Sequence, residues 1–243
     1  NESSGVFDPF RDYETAGYLH NFQGEKDLEI VKVAEHDLFK AQLPSAMQYL
    51  LDCKRINYEN FLKVHEILFS GLYPWAGQDR ATVMPDRHVF KGEVEFCHPL
   101  DCRRAVENGL KDAQARGLIA ARPGHVMGLF AYGHPFLDGN GRTMLVVHSE
   151  LCFRAGMSID WSRTNKNTYL AALTQEIEQP NQGHLDTYLA GFVGPRTWRE
   201  AWAGGLTALA GLDGINVQAN DAADYSEPSV AQRYRDFEAK RGT

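Results

Sequence analysis

The sequence predicts an all-α fold that carries one β-hairpin. Apolar residues recur at helical spacing along most of the 243-residue chain. Only residues 82–98, TVMPDRHVFKGEVEFCH, alternate apolar and charged side chains as strands do. Hydrophobic residues make up 43% of the chain and charged residues 23%, a composition that is typical of folded globular proteins and not of disordered ones.

The N-terminal region, residues 1–56, is predicted to consist of helices that pack on the core. An apolar face from Leu28 to Ala41 indicates one helix. That helix should end before Pro44, because the residue that precedes a proline avoids helical geometry, and a second helix should start at Pro44 itself. Asn57 is a typical N-cap and should begin the next helix.

The predicted hairpin turns at Pro85 and Asp86. Val83 would lie on the strand before this turn, and Val94 and Phe96 would lie on the strand after it. Proline cannot donate a hydrogen bond to a neighbouring strand. The strand that carries Pro85 is therefore expected at an edge of the sheet.

The core is expected to span residues 57–195 and to be helical outside the hairpin. Its later helices are predicted over residues 99–116, 123–132, 140–155, 167–177 and 185–192. The helix over residues 140–155 has little polar surface, which indicates a central and mostly buried position. Beyond Pro195 the composition becomes rich in Ala and Gly and then polar, and residues 196–243 are expected to form a helical appendage.

Charge and composition exclude several classes of partner. The formal net charge is −7 and no stripe of Lys and Arg is present, so we expect no nucleic-acid partner. The longest apolar stretches are too short to cross a bilayer, so we expect no membrane span. The four cysteines lack the spacing of a zinc site and the density of a disulfide scaffold. This indicates a cytoplasmic location, and secretion into a host cell as an effector stays open.

The segment GHPFLDGNGRTM, residues 133–144, carries the strongest chemical signal. It is predicted to be a loop that leads into the buried helix, and the first turn of a helix has amide groups that bind anions. Gly139 and Gly141 leave these amides open to a phosphate, and Arg142 adds a charged fork suited to phosphate oxygens. Phe136 is expected to point into the core and to hold the loop in place.

Asp138 and His134 complete a reactive set. Mg²⁺ takes one or two protein carboxylates when a nucleotide's phosphates supply other ligands, so Asp138 is a candidate magnesium ligand. An imidazole has an ordinary pKa of about 6.5 and suits a general base, so His134 is a candidate to deprotonate a hydroxyl. A calcium loop would need an acid or an amide at Arg142, and the Walker and Rossmann phosphate motifs need residues that this loop lacks.

The stretch HPFLDGNGRT resembles, residue for residue, the signature His-Pro-Phe-x-(Asp/Glu)-Gly-Asn-Gly-Arg of the Fic family. YPWAGQDR, residues 73–80, is similar to the segment that precedes the hairpin of that family, and the resemblance covers residues 55–194. It implies a Fic-type helical core with a β-hairpin flap over residues 80–97 and an active-site loop over residues 134–142. It also implies transfer of AMP from ATP to a Tyr, Ser or Thr hydroxyl of a target protein.

The resemblance implies a role for each position of the motif. His134 would be the catalytic base, Asp138 would hold Mg²⁺, and Arg142 would grip the β-phosphate. The residues that would cradle the phosphates are Gly139, Asn140 and Gly141.

The resemblance assigns two further sets of residues. The flap would pair with an extended target segment, a mode of binding that needs an unpaired strand edge. The flap positions concerned are His88, Val89, Phe90 and Lys91. Asn165 and Tyr169 would line the adenine pocket, and a helix cap and a core aromatic residue are the alternatives for this pair. His148 and Cys152 lie one turn apart on a helix and could face a metal, but burial in the core is the preferred interpretation.

Two departures from the family pattern open alternatives. At the position of Leu145, many members have a second arginine, which binds the γ-phosphate. This chain could therefore use a different donor and transfer phosphate, phosphocholine or another phosphate-containing group. A non-catalytic binding module is the other alternative. The inhibitory pattern Ser/Thr-x-x-x-Glu followed by Gly or Asn is missing, because Thr174 and Glu178 are followed by Gln179. We therefore expect no self-inhibition, and a separate antitoxin-like protein is one candidate partner.

Overall fold

Helices make up most of the residues that the structure describes, and the prediction of an all-α fold with a β-hairpin is confirmed. The structure is a computed structural model, which describes residues 19–209, the backbone of residues 221–224, and residues 227–242. The α-helices are α1 (Leu28–Asp52), α2 (Tyr58–Phe69), α3 (Arg80–Val83), α4 (Cys102–Gln114), α5 (Leu118–Ala121), α6 (Pro123–Gly133), α7 (Asn140–Arg154), α8 (Lys166–Glu178), α9 (His184–Leu189), α10 (Arg199–Thr207) and α11 (Pro228–Arg241). The strands are β1 (Arg87–Lys91), β2 (Val94–Glu95), β3 (Met157–Ile159), β4 (Val193–Pro195) and β5 (Asp221–Asp224). Short 3₁₀ helices span Pro99–Asp101, Trp161–Arg163 and Ala190–Phe192.

Helix α1 is continuous through Pro44, so the predicted break at this proline is wrong. A proline inside a helix removes one backbone hydrogen bond and costs about 3 kcal/mol. Pro44 and Lys40, whose carbonyl loses that bond, both lie on the exposed side of α1, where water can bind the carbonyl. Phe39 and Leu50 are buried on either side of the proline, and their packing outweighs the local cost.

The buried face of α1 also differs from the predicted one. Ala34 and Ala41 are exposed, whereas the buried side includes two charged residues, Lys32 and Glu35. The prediction followed apolar spacing, which gives no weight to a charged side chain in the interior. These two residues belong to the site described below.

Helix α7 occupies the centre of the fold, as predicted. Every residue from Arg142 to Cys152 is buried, and α7 packs against α1, α2, α6 and α10. Strands β3 and β4 form a second antiparallel pair, with Met157 opposite Pro195. The sequence predicted a single hairpin and missed this pair, because strands of three residues are too short to show alternation.

The hairpin lies within the predicted flap but turns at a different place. Val83 ends α3, and the β1–β2 pair places Phe90 opposite Glu95 and Lys91 opposite Val94. The turn is therefore at Gly92 and Glu93, where Gly92 has a φ of 60° that suits glycine. Val83 is helical because Asp79 caps α3 by accepting a hydrogen bond from the Thr82 amide at 2.9 Å.

Strand β1 is the middle strand of a three-stranded sheet, and this corrects the prediction of an unpaired edge. The strand order is β2-β1-β5, and β5 runs antiparallel to β1 with Arg87 opposite Asp224 and Phe90 opposite Asp221. The sequence of β5 is DAAD, which has neither the β-branched nor the aromatic residues that indicate a strand. Only the fold brings this segment to the hairpin.

Helix α11 packs on the same hairpin. The Arg233 guanidinium contacts the Glu95 carboxylate, donates to the Gly92 carbonyl at 2.9 Å and lies 4.1 Å from the centre of the Phe90 ring. The Tyr234 hydroxyl accepts a hydrogen bond from the His98 amide at 2.9 Å. The C-terminal segment thus holds the flap on two sides, through β5 and through α11.

Parts of two predicted regions lie outside the described residues. These are residues 1–18 of the predicted N-terminal helices, and residues 210–220, 225–226 and 243 of the predicted appendage. Among the helices of the described ranges, none combines the length and the apolar character that a membrane crossing requires.

We expect replacement of Gly124 by alanine to destabilise the fold. A Cβ atom on Gly124 would lie 2.4 Å from the Asp186 amide nitrogen and 2.5 Å from the Leu185 carbonyl carbon, both backbone atoms of α9. Gly124→Ala should therefore lower the free energy of unfolding in urea by about 1–3 kcal/mol. Gly204→Ala is the matched control, because a Cβ atom there meets nothing within 4 Å and alanine favours a helix by up to about 1 kcal/mol. Equal effects of the two substitutions would contradict this packing.

Candidate active site

The loop between α6 and α7 is bounded by two residues in the left-handed conformation. His134, with φ 38° and ψ 58°, ends α6, and Gly139, with φ 77°, precedes α7. A non-glycine residue in this region is strained by about 1–2 kcal/mol. Arg80 compensates for this strain: it is fully buried, and its guanidinium donates to the carbonyl groups of His134 at 2.6 Å, Cys97 at 2.8 Å and Gly133 at 3.2 Å.

Phe136 points into the core, as predicted, and fixes the middle of the loop. Its ring is fully buried and stacks on the imidazole of His65, with ring centroids 3.7 Å apart. His65 accepts a hydrogen bond from the Gly77 amide at Nδ1, so its Nε2 carries the proton and donates to the Asp138 carbonyl at 2.8 Å. Burial lowers the pKa of His65 to about 3, which keeps this ring neutral.

The Asn140 side chain braces the loop from inside. It accepts a hydrogen bond from the Phe136 amide at 2.9 Å and donates to the Phe136 carbonyl at 2.6 Å. The side chain is therefore used within the protein, and the group that Asn140 could offer to an anion is its backbone amide.

The start of α7 has two amide groups that are not used within the described residues. The Gly139 amide donates to the Asp138 carboxylate at 2.8 Å, whereas the amides of Asn140 and Gly141 have no acceptor within the described parts of the chain. A Cβ atom on Gly141 would meet nothing within 4 Å, and one on Gly139 would lie 2.7 Å from the Phe69 ring. Gly141 thus leaves room for a ligand, and Gly139 is required for packing.

The His134 imidazole is covered by the flap. It lies parallel to the Phe96 ring with centroids 3.6 Å apart, and only 8% of the residue is exposed. Its Nε2 atom is buried and has no hydrogen-bond partner among the described residues. Burial, with a smaller effect of the positive charges of Arg80 and Lys91, holds the pKa of His134 well below its usual value of 6.5. The ring is therefore neutral near pH 7, with a nitrogen available to accept a proton.

A buried cluster of charged side chains joins α1 to α7. The Glu35 carboxylate is fully buried and accepts hydrogen bonds from the Arg142 guanidinium at 2.5 Å and from the Tyr73 hydroxyl at 2.7 Å. The Lys32 ammonium lies 3.4 Å from Glu35 and also contacts the Asp138 carboxylate. Burial by itself would raise the pKa of Glu35, but Lys32 and Arg142 outweigh it and hold that pKa below its usual value.

Sequence reasoning missed Lys32, Glu35, Tyr73 and His65. The only signal for the first two is their spacing of three residues on α1, which places them on one helix face. That signal is ordinary for an exposed ion pair, and it identified neither their burial nor their partners.

Asp138 could bind a magnesium ion, but its carboxylate already has two partners within the protein. It is the carboxylate of the loop, its side chain is 21% exposed, and one carboxylate is what Mg²⁺ uses when phosphates complete its ligands. One oxygen of Asp138 accepts the Gly139 amide, and the other contacts Lys32. A metal ion on the second oxygen would have to displace the ammonium group.

The four predicted flap residues are less accessible than expected. His88 is fully buried, with its imidazole against the Glu95 carboxylate, and Val89 is 1% exposed. Phe90 and Lys91 are half-buried, and burial lowers the pKa of Lys91 to about 8. Phe90 and Lys91 pair with β2, and His88, Val89 and Phe90 pair with β5, so a target meets an occupied edge on β1.

Asn165 and Tyr169 take the alternative roles that the sequence left open. The Asn165 side chain caps α8 by accepting the Thr168 amide at 3.1 Å, and the Tyr169 ring packs edge-on against Trp161 with centroids 5.2 Å apart. No described contact joins either residue to the loop 134–142. A place in an adenine pocket therefore stays a prediction for this pair.

His148 and Cys152 are buried, as preferred. His148 contacts the Pro123 carbonyl at 2.8 Å, and the Cys152 sulfur lies 3.5 Å from its Nδ1. Burial lowers the pKa of His148 to about 4. Within the described residues, no group of three or more His, Cys, Asp or Glu side chains could hold a metal ion.

We expect Phe96→Ala to raise the pKa of His134 towards 6.5. Removal of the Phe96 ring lets water reach the imidazole, and the cost of protonating a buried ring then falls. The measurement is a pH titration of the histidine ring signals by NMR, with Phe192→Ala as a control that leaves Phe96 in place. In the wild type the His134 signal should not titrate between pH 8 and pH 6. An unchanged titration in Phe96→Ala would contradict burial as the cause.

Comparison with known proteins connects this site to a family. Residues 55–152 match the model of the Fic/DOC family. The protein adenylyltransferase VbhT of Bartonella schoenbuchensis is 28% identical over 178 residues, which are 67% of this chain and 34% of VbhT. The probable protein adenylyltransferase y4lH of Sinorhizobium fredii is 30% identical over 133 residues, which are 50% of this chain and 66% of y4lH. The matches thus cover about a third of the first relative and just under two thirds of the second.

Solved structures share the fold. The N-terminal Fic domain of a VirB-translocated Bep effector protein from Bartonella quintana has a TM-score of 0.62 at 21% identity, over 76% of this chain and 94% of that one. The BepC protein of Bartonella tribocorum has a TM-score of 0.60 at 18% identity, over 76% and 96% of the two chains. On the sequence match, the Fic-type helical fold and the HPFLDGNGR loop, residues 55–152 of this chain carry a Fic/DOC domain.

Proposed function

We propose that this protein is a protein adenylyltransferase, which transfers AMP from ATP to a Tyr, Ser or Thr hydroxyl of a target protein. The observation that carries the proposal is the His134 Nε2 atom, buried and without a hydrogen-bond partner in the described residues, at one end of a loop. At the other end of the same loop lie the unbonded amides of Asn140 and Gly141. A base and an anion site on one loop suit a hydroxyl that attacks a phosphate.

The comparisons support the choice of nucleotide. VbhT is named a protein adenylyltransferase and y4lH a probable one. The Bartonella quintana domain was solved with bound ADP, and BepC with bound AMPPNP. These ligands were bound to those proteins. We propose that this chain also binds an adenine nucleotide.

The proposed reaction uses groups that the loop supplies. The amides of Asn140 and Gly141, with Gly139 at the turn, would cradle the phosphates, and Arg142, positioned by Glu35, would bind the β-phosphate. His134 Nε2 would take the proton of the target hydroxyl. The hydroxyl oxygen would then bond to the α-phosphorus as the bond to the bridging oxygen breaks and pyrophosphate leaves. Bound to Asp138 and the phosphates, Mg²⁺ would neutralise charge on the triphosphate.

The neutral state of His134 suits this role in part. A ring that carries no proton near pH 7 is ready to accept one, but its lowered pKa makes it a weaker base than an exposed histidine. The flap residue Phe96 covers the ring, so the arrangement requires the flap to let the hydroxyl reach Nε2.

A different donor is the second candidate, and Leu145 favours it. Its side chain is 4% exposed and lies in the core, so the position that carries a second arginine in many family members offers no charge to a triphosphate. Transfer of AMP and transfer of phosphate from ATP are separated by the position of a radioactive label. An α-phosphate label marks the target only in the first case, and a γ-phosphate label only in the second.

The location that we propose is a reducing compartment, either the bacterial cytoplasm or that of a host cell. Cys53, Cys97, Cys102 and Cys152 are all free thiols. A separate inhibitory protein remains part of the proposal. Thr174 and Glu178, which meet only the first part of the inhibitory pattern, lie within α8, and no described contact joins them to the loop.

We expect His134→Ala to abolish labelling of a target. Loss of a general base slows proton transfer by about a hundred-fold to ten-thousand-fold. The measurement is incorporation of radioactivity from α-labelled ATP into lysate proteins, with γ-labelled ATP alongside. His184→Ala, which alters a histidine that contacts Gln179, is the matched control. Full labelling by His134→Ala would refute the base, and no labelling by the wild type with any donor would favour the binding module.

The target is proposed to bind along the flap, and the structure then requires it to displace β5. The Phe96 amide donates to the Val89 carbonyl at 3.3 Å, so the backbone of Val89 faces β2. Because backbone directions alternate along a strand, His88 and Phe90 face β5, and the Ala223 amide opposite His88 points into the ladder. The Ala222 amide points away from β1.

We expect Ala223→Pro to increase target labelling several-fold. Proline at this position removes a ladder hydrogen bond and should weaken β5, which opens the edge of β1. Ala222→Pro is the matched control, because the amide it removes is outside the ladder. Initial rates of labelling at limiting target concentration provide the measurement. Lower labelling by Ala223→Pro would mean that β5 supports the flap instead of competing with the target.

A further inference from the structure

We propose that Lys32 is the second phosphate-binding cation of this site, and that its ammonium exchanges Asp138 for the phosphate tail when a nucleotide binds. The inference rests on the proposed function, because it assumes a polyphosphate in the loop 134–142. It adds a residue from outside the motif, on a helix that precedes the matched region 55–152.

The motif of this chain supplies one cation where a triphosphate calls for more. In the proposed function, Arg142 is the positively charged residue of the motif that binds the phosphates. Leu145 stands where many family members have a second arginine. The Leu145 side chain is apolar, is 4% exposed and packs in the core, so it cannot bind an anion. A second positive charge has to come from another element.

Lys32 places a positive charge beside Asp138 and the start of α7. It is 3% exposed, and its stem passes through the interior so that the ammonium meets Asp138, next to the amides at the start of α7. Lysine binds phosphate as a compact point charge and needs no planar partner, which suits a flexible phosphate tail.

The charges of the cluster make the exchange favourable. Lys32 and Arg142 balance Glu35 and Asp138, so the buried cluster has no net charge before a ligand arrives. A magnesium ion on Asp138 would displace the ammonium, and an unpaired buried ammonium is costly. Glu35 already serves Arg142 and Tyr73, and it lies 3.4 Å from Lys32. The arriving phosphate oxygens are the anions that can pair with the displaced ammonium.

A purely structural role of Lys32 predicts a different result. If Lys32 only neutralised the buried carboxylates, its removal would lower stability and would weaken the binding of AMP as well as that of ADP and AMPPNP. If Lys32 binds the phosphate tail, the loss depends on the length of that tail. Binding of AMP, ADP and AMPPNP therefore separates the two roles without any measurement of catalysis.

The experiment compares the full chain with Lys32→Met by isothermal titration calorimetry with AMP, ADP and AMPPNP, each with Mg²⁺. We expect Lys32→Met to weaken AMPPNP binding by about 10–100-fold, the value of one charge-assisted hydrogen bond, and to change AMP binding by less than about two-fold. Lys32→Arg keeps the charge and should restore most of the AMPPNP affinity. Lys40→Met is the matched control on α1, because Lys40 is exposed and pairs with Asp37 at 3.0 Å.

A second readout uses the metal ion alone. Without nucleotide, Lys32→Met should bind Mg²⁺ more tightly than the wild type, because no ammonium competes for Asp138, and thermal unfolding with added Mg²⁺ should show a larger shift. Lys32→Gln, which loses the charge but can still donate to Asp138, serves if Lys32→Met does not fold. Equal losses for AMP and AMPPNP, or unchanged Mg²⁺ binding, would overturn the proposal. A wild type that binds none of the nucleotides would instead refute the proposed function on which it rests.

Discussion

The buried guanidinium of Arg80 is the interaction on which the site depends. It binds the carbonyl groups of His134, Gly133 and Cys97, and so joins the end of α6, the start of the loop and the end of the flap. The Cys97 amide also donates to the Tyr132 carbonyl at 3.0 Å, so the guanidinium reinforces a backbone contact between the flap and the end of α6. The left-handed conformation of His134 persists because these contacts outweigh its strain. The position of the imidazole under Phe96 follows from the same contacts.

Electrostatics provide the second constraint, and they come from a different helix. Glu35 and Lys32 on α1 meet Arg142 and Asp138 of the loop in a buried cluster of balanced charge. Breaking a buried pair is costly, so α1 and α7 are held in register by these contacts as well as by apolar packing. The cluster also tunes the groups that a nucleotide would meet, since it orients the Arg142 guanidinium before any ligand arrives.

The flap links the site to the C-terminal segment. Phe96 on the flap covers His134, while β5 pairs with β1 and Arg233 of α11 binds Glu95 and the Gly92 carbonyl. A short path of backbone and side-chain contacts therefore joins the C-terminal segment to the imidazole. The flap thus covers His134 with Phe96 and also pairs with β5 of the same chain.

The sequence by itself determined the helical class and the presence of a hairpin within residues 80–97, because glycine, the caps and the apolar period act locally. It placed His134, Asp138 and Arg142 in one loop, and it predicted the inward Phe136 and the buried α7. The tertiary structure decided the course of α1 through Pro44, the pairing of β5 with β1, and the entry of Lys32 and Glu35 into the site. These depend on contacts between distant segments, where burial outweighs the cost of a proline or a charge, and no local pattern records such contacts.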